Sequence, residues 1–232
     1  MQRRALLSSV AVSTAALGGW CWLSDALAGG LFTSSEGTLA LRTALERGAR
    51  AAVAQLGRAD GFLGNDKVRI ALPGPLEQIR PLLKGFGKGR QLDELVVSMN
   101  HAAEQAVPLA LPLLKAAIKS MSVGDAQHIL TGADTSVTEF FASKTRQPLN
   151  TQFLPIVSRV TDKLSLARRY NDLAGKGAGM GLIKGEQANV QRYVTGKTLD
   201  GLFLVIGEQE QLIRRDPVGT GSAILKKVFG SL

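Results

Sequence analysis

The chain has 232 residues, of which 45% are hydrophobic and 20% are charged. This composition indicates a globular protein and excludes a disordered or fibrous one, and the length suits one large domain or two small ones. One cysteine and two histidines exclude a disulfide framework, a cysteine-rich zinc site and a multi-histidine metal centre, so we predict no metal and no cofactor. Basic residues outnumber acidic ones and give a net charge of +9.

The first residues have the pattern of an export signal. Arg3 and Arg4 precede the uncharged run 5–23, which is followed by small residues that end at Ala28. We therefore predict that residues 1–28 are removed after Ala28 on the way to the periplasm. The paired arginines are typical of a twin-arginine signal, and a general-secretion signal that contains two arginines is the alternative.

The predicted mature domain, 29–232, differs in composition from the whole chain. Cleavage removes two basic residues and one acidic residue, leaves a net charge of +8, and takes away Trp20, Cys21 and Trp22. A single exported domain without cysteine must be stable through its core alone. Lipid anchoring at Cys21 is not expected, because Gly18 stands where a lipoprotein signal carries an aliphatic residue.

Apolar residues recur at helical spacing along most of the mature chain. In chain order, helices are predicted over 33–57, 75–85, 90–121 with a kink or break at Pro108 and Pro112, 122–130 capped by Ser122, 134–144 capped by Asp134, 148–170 as one or two helices, 189–215, and 222–232. The stretch 68–72 resembles a strand but ends at Pro73, so it is at most a short extended segment. The glycine-rich stretch 175–185 is predicted to be a flexible loop. The predicted fold is all-α, a single multi-helix domain.

Two of the predicted helices have distinct roles in this domain. The helix 189–215 is apolar nearly all round at 199–206, so we predict a long central helix that is buried on most sides. The helix 222–232 has one apolar stripe, and an isolated helix of about eleven residues is marginal in water. We expect it to dock on the core as a lid, with insertion into a membrane interface as the alternative.

Several short motifs together give the chain a family resemblance. They are Gly-Phe-Leu at 61–63 with Ile-Ala-Leu-Pro at 70–73, Ser-Met-Asn-His-Ala-Ala-Glu at 98–104, Asp-Ala-Gln-His-Ile-Leu at 125–130 with Gly-Ala-Asp-Thr at 132–135, Tyr-Val at 193–194 with Leu-Asp-Gly-Leu-Phe at 199–203, and Lys-Lys-Val-Phe-Gly at 226–230. Through these motifs residues 34–231 resemble the bacterial domain-of-unknown-function family 4197. The resemblance implies an exported helical protein of Gram-negative bacteria and carries over no catalytic residues. The family pattern leads us to expect a basic residue after Asn100, and His101 stands at that position instead.

The common catalytic signatures are missing from the sequence. Residues 196–198, Gly-Lys-Thr, end like a phosphate-binding loop, but Gln191 stands where that loop needs glycine. The sequence has no G-x-S-x-G elbow and no H-E-x-x-H motif. Helical geometry, at about 100° per residue, places His101 and His128 away from the apolar faces of their helices, so we expect both to lie in solvent rather than to act as ligands or bases.

Six polar residues lie within or beside apolar helix faces and are weak candidates for a binding pocket. They are Asn100, Glu104, Asp134, Thr135, Thr138 and Asp200. The favoured interpretation is structural, with Asp134 as a helix cap and the others bound to backbone groups where helices cross. The functional interpretation is one polar pocket between helices, with Glu104 and Asp200 as its charged members.

A second candidate site is cationic. Lys84, Lys88 and Arg90 alternate with glycines and lead into a helix, a place suited to a phosphate or an anionic headgroup. Solubility alone also explains a net positive charge. The partners that fit this charge are another periplasmic protein or an anionic membrane surface, and no nucleic-acid partner is expected in the periplasm.

The function predicted from these observations is that of an exported periplasmic binding or scaffold protein without catalysis. One alternative is a small hydrolase or transferase that works through carboxylates, and it requires two carboxylates that converge in a closed pocket. The other is a protein of the membrane surface that uses its basic and amphipathic segments.

Overall fold

The computed structural model of the chain describes residues 35–183 and 185–216. These residues form helices joined by loops and contain no strand. In chain order the helices are α1 (Ser35–Leu56), α2 (Gly74–Gln78), α3 (Arg80–Gly85), α4 (Gly89–Ala106), a 3₁₀ turn (Val107–Leu109), α5 (Ala110–Lys119), α6 (Val123–Thr131), α7 (Ser136–Thr161), α8 (Ser165–Gly179) and α9 (Val190–Arg215). The all-α prediction is confirmed. The predicted signal 1–28 and the predicted helix 222–232 lie outside the described residues.

Helix α9 lies at the centre of the domain. It packs most extensively on α7 and α1, and it also contacts α4. Val194, Leu199 and Leu202 on this helix are completely buried and belong to one core that all the longer helices share. The nearly continuous apolar run therefore indicated its central position correctly.

Two sequence signals set helix ends as predicted. Ser122 caps α6, because its hydroxyl accepts a hydrogen bond from the Asp125 N–H at 3.0 Å. In return the Asp125 carboxylate accepts one from the Ser122 N–H at 2.9 Å, and this bond lowers the pKa of Asp125. At the end of α4, Pro108 lies in the 3₁₀ turn that separates α4 from α5, which is the predicted break.

The prediction of a helix end near residue 144 and a new helix start at Pro148 is wrong, because α7 spans both positions. It runs without a break through Pro148 and Pro155, whose side chains are both exposed. Each internal proline costs about 3 kcal/mol because it removes a backbone hydrogen bond. The opposite face buries Leu149, Phe153 and Val157 completely, at about 1.5–3 kcal/mol for each side chain, and this packing keeps the helix continuous.

Helix α8 extends into the stretch 175–185, so the prediction of a flexible loop is wrong for residues 175–179. It continues through the alternating glycines to Gly179. Ala174 and Gly177 are buried, and a Cβ atom on Gly177 would lie 3.0 Å from Ile183 Cδ1. Gly177 therefore serves close packing, which the number of glycines in the stretch cannot show.

The described helices differ from membrane-spanning helices in length and apolar character. Within residues 35–183 and 185–216, no single helix is long and apolar enough to cross a membrane. The segments Gly89–Lys119 and Val123–Thr131 are long and apolar enough only when taken together, and the chain bends by 104° between them.

Candidate functional site

The 57–73 loop connects α1 to α2 and is held by two polar side chains one turn apart on α4. Glu104 Oε1 accepts hydrogen bonds from the N–H groups of Phe62 at 3.0 Å and Leu63 at 3.1 Å. Asn100 Oδ1 accepts from the Ile70 N–H at 2.8 Å, and Asn100 Nδ2 donates to the Ile70 carbonyl at 2.9 Å. Asn100 is fully buried and Glu104 nearly so. Both side chains therefore satisfy backbone groups of the loop that would otherwise be buried without partners.

The other side of the loop is fitted to α9. Phe62 is fully buried against Gly201, where a Cβ atom would lie only 2.8 Å from Phe62 Cε1. The Tyr193 hydroxyl donates a hydrogen bond to the Ala71 carbonyl at 3.1 Å. Burial raises the pKa of Tyr193, and the nearby carboxylate of Glu77 raises it further, so the hydroxyl remains a donor at neutral pH. The loop is thus held from α4 and from α9.

A groove of about 380 Å³ runs between this loop and α9 and is open to solvent. Its lining residues are Lys67, Val68, Arg69, Ile70, Ala71, Tyr193, Lys197, Asp200, Gly201 and Leu204. The lining carries three cations and one carboxylate, with Lys67 and Arg69 on the loop wall and Lys197 on the helix wall. The groove therefore combines an apolar floor with a rim that is positive on balance.

Ion pairs neutralise part of this rim. Lys67 pairs with Glu208 at 2.6 Å, and Lys197 lies 3.8 Å from Asp200. Asp200 also accepts a hydrogen bond from Arg146 at 2.9 Å, and its side chain is 53% exposed. Arg69 has no ion-pair partner in the described part of the chain, so it is the cation of the rim that is most available to a ligand.

A second buried carboxylate, Glu210 on α9, lies at the start of α7. Its two oxygens accept from the N–H groups of Val137 at 3.1 Å and Thr138 at 3.2 Å. Arg214, one turn further along α9, donates to Glu210 Oε1 at 2.9 Å and to the Ile129 carbonyl at 2.8 Å. Glu210 therefore caps α7 from another helix, where a carboxylate also interacts favourably with the helix dipole.

The predicted cap residue Asp134 does not have this role. α7 begins two residues later, its N-cap is Thr135, and the Thr135 side chain makes no capping hydrogen bond. Asp134 is largely exposed and lies 3.9 Å from Arg214. The prediction is corrected because Glu210, more than seventy residues away, already occupies the first-turn N–H groups.

The six candidate pocket residues lie at three separate places. Asn100 and Glu104 lie beneath the 57–73 loop, Asp200 lines the groove, and the group 134, 135 and 138 lies near Glu210. The structure therefore does not bring them into one pocket, and Glu104 and Asp200 do not converge. Sequence reasoning missed Glu210, although it falls four residues after the buried Ile206 and so continues the buried face of α9.

The histidines and other metal-ligating side chains form no cluster in the described ranges. His101 is half-buried and His128 is exposed. Among residues 35–183 and 185–216, no group of three His, Cys, Asp or Glu side chains could hold a metal ion.

The cationic candidates Lys84, Lys88 and Arg90 lie around the end of α3 and the start of α4. Lys88 is the N-cap residue of α4, and its side chain makes no capping hydrogen bond. Arg90 is 89% exposed and lies 3.4 Å from Glu94. These side chains form a cationic surface rather than a pocket.

Comparison with protein families gives one match. Residues 32–230 match the family described as "Protein of unknown function (DUF4197)". The chain belongs to DUF4197. Comparisons with curated proteins and with solved structures gave no significant match.

In this member of DUF4197, three of the motifs that carry the resemblance meet at the 57–73 loop. The motif 61–63 supplies the N–H groups that Glu104 binds, and the motif 98–104 supplies both Asn100 and Glu104. The motif around Gly201 lets α9 approach the loop. These motif residues therefore hold the loop wall of the groove in place against α9.

Proposed function

We propose that this DUF4197 chain is an exported periplasmic binding protein without catalysis, and that its ligand lies in the groove between the 57–73 loop and α9. The observation that carries the proposal is the groove itself, with cations on both walls above an apolar floor. Helix α9 is packed into the core and the 57–73 loop is hydrogen-bonded to α4 and α9, so the site is largely preformed, as ligand sites usually are.

The arrangement of the buried carboxylates favours binding over carboxylate catalysis. A general acid or base must lie within hydrogen-bonding reach of its substrate. Glu104 and Glu210 are both buried, and each accepts hydrogen bonds from backbone N–H groups of another part of the fold. Their positions account for their presence without a reaction.

The charges in the groove indicate the chemical class of the ligand. Arg69 presents a guanidinium that is suited to two parallel hydrogen bonds with a carboxylate or phosphate. Val68 and Leu204 supply apolar contact surface, and Leu204 is 43% exposed. The ligand class proposed is therefore a small molecule with an anionic group on an apolar body.

The proposal of export rests on the signal pattern of residues 1–28. If the signal is cleaved as proposed, the intact mass of the protein released from the periplasm corresponds to a chain that begins at Gly29. A retained Cys21 that carries lipid would contradict this. Replacing Arg3 and Arg4 by lysine should abolish export if the twin-arginine route is used, and leave it intact if the general route is used.

Native mass spectrometry tests the groove after incubation of the chain with a periplasmic extract. The wild-type chain is expected to retain a small molecule that the double variant Arg69→Glu, Lys197→Glu loses. The matched control is the double variant Lys119→Glu, Lys163→Glu, which changes two exposed lysines outside the groove by the same charge. Equal retention by the groove variant and wild type, or no retention by wild type, would contradict the proposal.

A further inference from the structure

The segment 79–90, which contains α3 and the turn after it, exposes three large apolar side chains on one side. Ile79 is 44% exposed, Leu82 60% and Phe86 72%. Their spacing of three and four residues places them on the same face of a helical segment. Leu83, at the edge of this face, is partly buried and packs on the core, so the segment is fixed to the domain along one side.

The turn that carries Phe86 has a defined backbone structure. The N–H of Lys88 donates to the Leu83 carbonyl at 2.9 Å, and the N–H of Gly87 donates to the Lys84 carbonyl at 2.9 Å. This is the Schellman pattern of a helix end, and Gly87 has the positive φ, 70°, that the pattern requires. The exposed position of the Phe86 ring is therefore set by a hydrogen-bonded turn.

The charge of the segment has one sign. Residues 78–92 contain Arg80, Lys84, Lys88 and Arg90 and no aspartate or glutamate. Arg80 and Arg90 pair with carboxylates outside this stretch, at 3.3 Å and 3.4 Å. Lys84 and Lys88 have no ion-pair partner within residues 35–183 and 185–216, so their charges are available to an external anion.

From these observations we propose that the segment 79–90 docks on an anionic lipid surface. Ile79, Leu82 and Phe86 enter the interface between headgroups and acyl chains, while Lys84 and Lys88 lie at the level of the lipid phosphates. Exposed apolar side chains combined with nearby basic residues are the composition of an interfacial membrane-binding segment. The proposal uses different residues from the groove and does not depend on it.

The size of the patch favours a lipid surface over an acidic protein. A specific protein interface buries roughly 800 Å² on each partner and includes about ten hydrogen bonds. A twelve-residue segment with three apolar side chains offers much less than this. A lipid interface needs no shape complementarity, and it accepts apolar side chains and lysines in whatever arrangement the turn presents.

Co-sedimentation with vesicles of phosphatidylglycerol and phosphatidylcholine tests this proposal. The chain 29–232 contains all the described residues and the whole family match, and circular dichroism confirms the helical fold of each variant beforehand. Wild type is expected to bind the mixed vesicles and to bind vesicles of phosphatidylcholine alone at least about tenfold more weakly. Two double variants, Leu82→Ser with Phe86→Ser and Lys84→Gln with Lys88→Gln, should each bind the mixed vesicles about tenfold or more weakly than wild type.

Two control variants match these changes elsewhere on the surface. Leu173→Ser, Leu182→Ser removes two leucines that are 71% and 76% exposed, and Lys119→Gln, Lys163→Gln removes two exposed lysines. Both controls should bind as wild type does. The proposal is overturned if wild type does not sediment with the mixed vesicles, or if the segment variants bind these vesicles as wild type does. It is also overturned if the control variants lose as much vesicle binding as the segment variants.

Discussion

Glu104 is a buried carboxylate with a structural role, because it binds backbone N–H groups of the 57–73 loop. It lies within a hydrophobic core, and its partners are the N–H groups of Phe62 and Leu63. Hydrogen bonds to an ionised acceptor contribute about 1.5–3 kcal/mol each, and burying an N–H group without a partner costs about 1–3 kcal/mol. A residue in this setting contributes to stability whether or not any ligand is present.

We expect Glu104→Ala to lower the free energy of unfolding by about 2–4 kcal/mol, because two buried N–H groups lose their acceptor. Urea denaturation followed by circular dichroism measures the change. The matched control is Glu94→Ala on the same helix, where the carboxylate is exposed and pairs with the exposed Arg90, so the effect should stay within about 0.5 kcal/mol. Equal stability of Glu104→Ala and wild type would show that the carboxylate does not hold the loop.

The helices differ in how far their local sequence determines them. The order and approximate extent of α1, α4, α5, α6 and α9 could be predicted, because apolar spacing and the Ser122 cap act within a few residues along the chain. The continuity of α7 through Pro148 and Pro155 could not, because it depends on burial against other helices. A proline in the sequence indicates a local free-energy cost to a helix, but it does not indicate whether packing against other helices offsets that cost.

The candidate sites were harder to predict for a related reason. The polar character of Asn100 and Glu104 was visible in the sequence, but their partners lie 30 to 42 residues earlier in the chain. Glu210 finds its partners 72 and 73 residues away. The groove is formed by the 57–73 loop and α9, which are separated by several helices, so no local pattern could place its walls together.

The turn after α3 offers a test that separates backbone conformation from packing. A Cβ atom would meet nothing within 4 Å at either Gly85 or Gly87, and only Gly87 has a positive φ. We expect Gly87→Ala to destabilise the protein by about 1 kcal/mol, because an L-residue is strained in this conformation. Gly85→Ala, in the helix, should be neutral or stabilise it by a few tenths of a kcal/mol. Thermal unfolding of both variants measures the difference, and shifts of the same sign would contradict the described turn.

The whole molecule is organised around α9, which contacts the long helices of the core on one side and the 57–73 loop on the other. Its inner face contributes to the shared core, and its Gly201 and Tyr193 contact the loop that forms the far wall of the groove. The same helix thus determines both the stability of the domain and the shape of the proposed binding site.

The central position of α9 predicts a large difference between two neighbouring leucines. Leu202 is fully buried, and Leu204 is 43% exposed. Leu202→Ala should cost about 2–5 kcal/mol as a buried large-to-small change, while Leu204→Ala should cost less than about 1 kcal/mol. Chemical denaturation of the two variants gives the comparison. Similar costs at the two positions would contradict the burial of this face of α9.

Hydrogen–deuterium exchange of the 57–73 loop tests the central claim, that Asn100 and Glu104 hold this loop as a fixed wall of the groove. The wild-type amides of Phe62, Leu63 and Ile70 should exchange as slowly as those of the buried helices, because they are hydrogen-bonded and sit in the core. Glu104→Ala should speed exchange at Phe62 and Leu63 by at least about tenfold and leave Ile70, which Asn100 binds, protected. Rapid exchange of all three amides in the wild-type chain, or unchanged protection in Glu104→Ala, would contradict the claim.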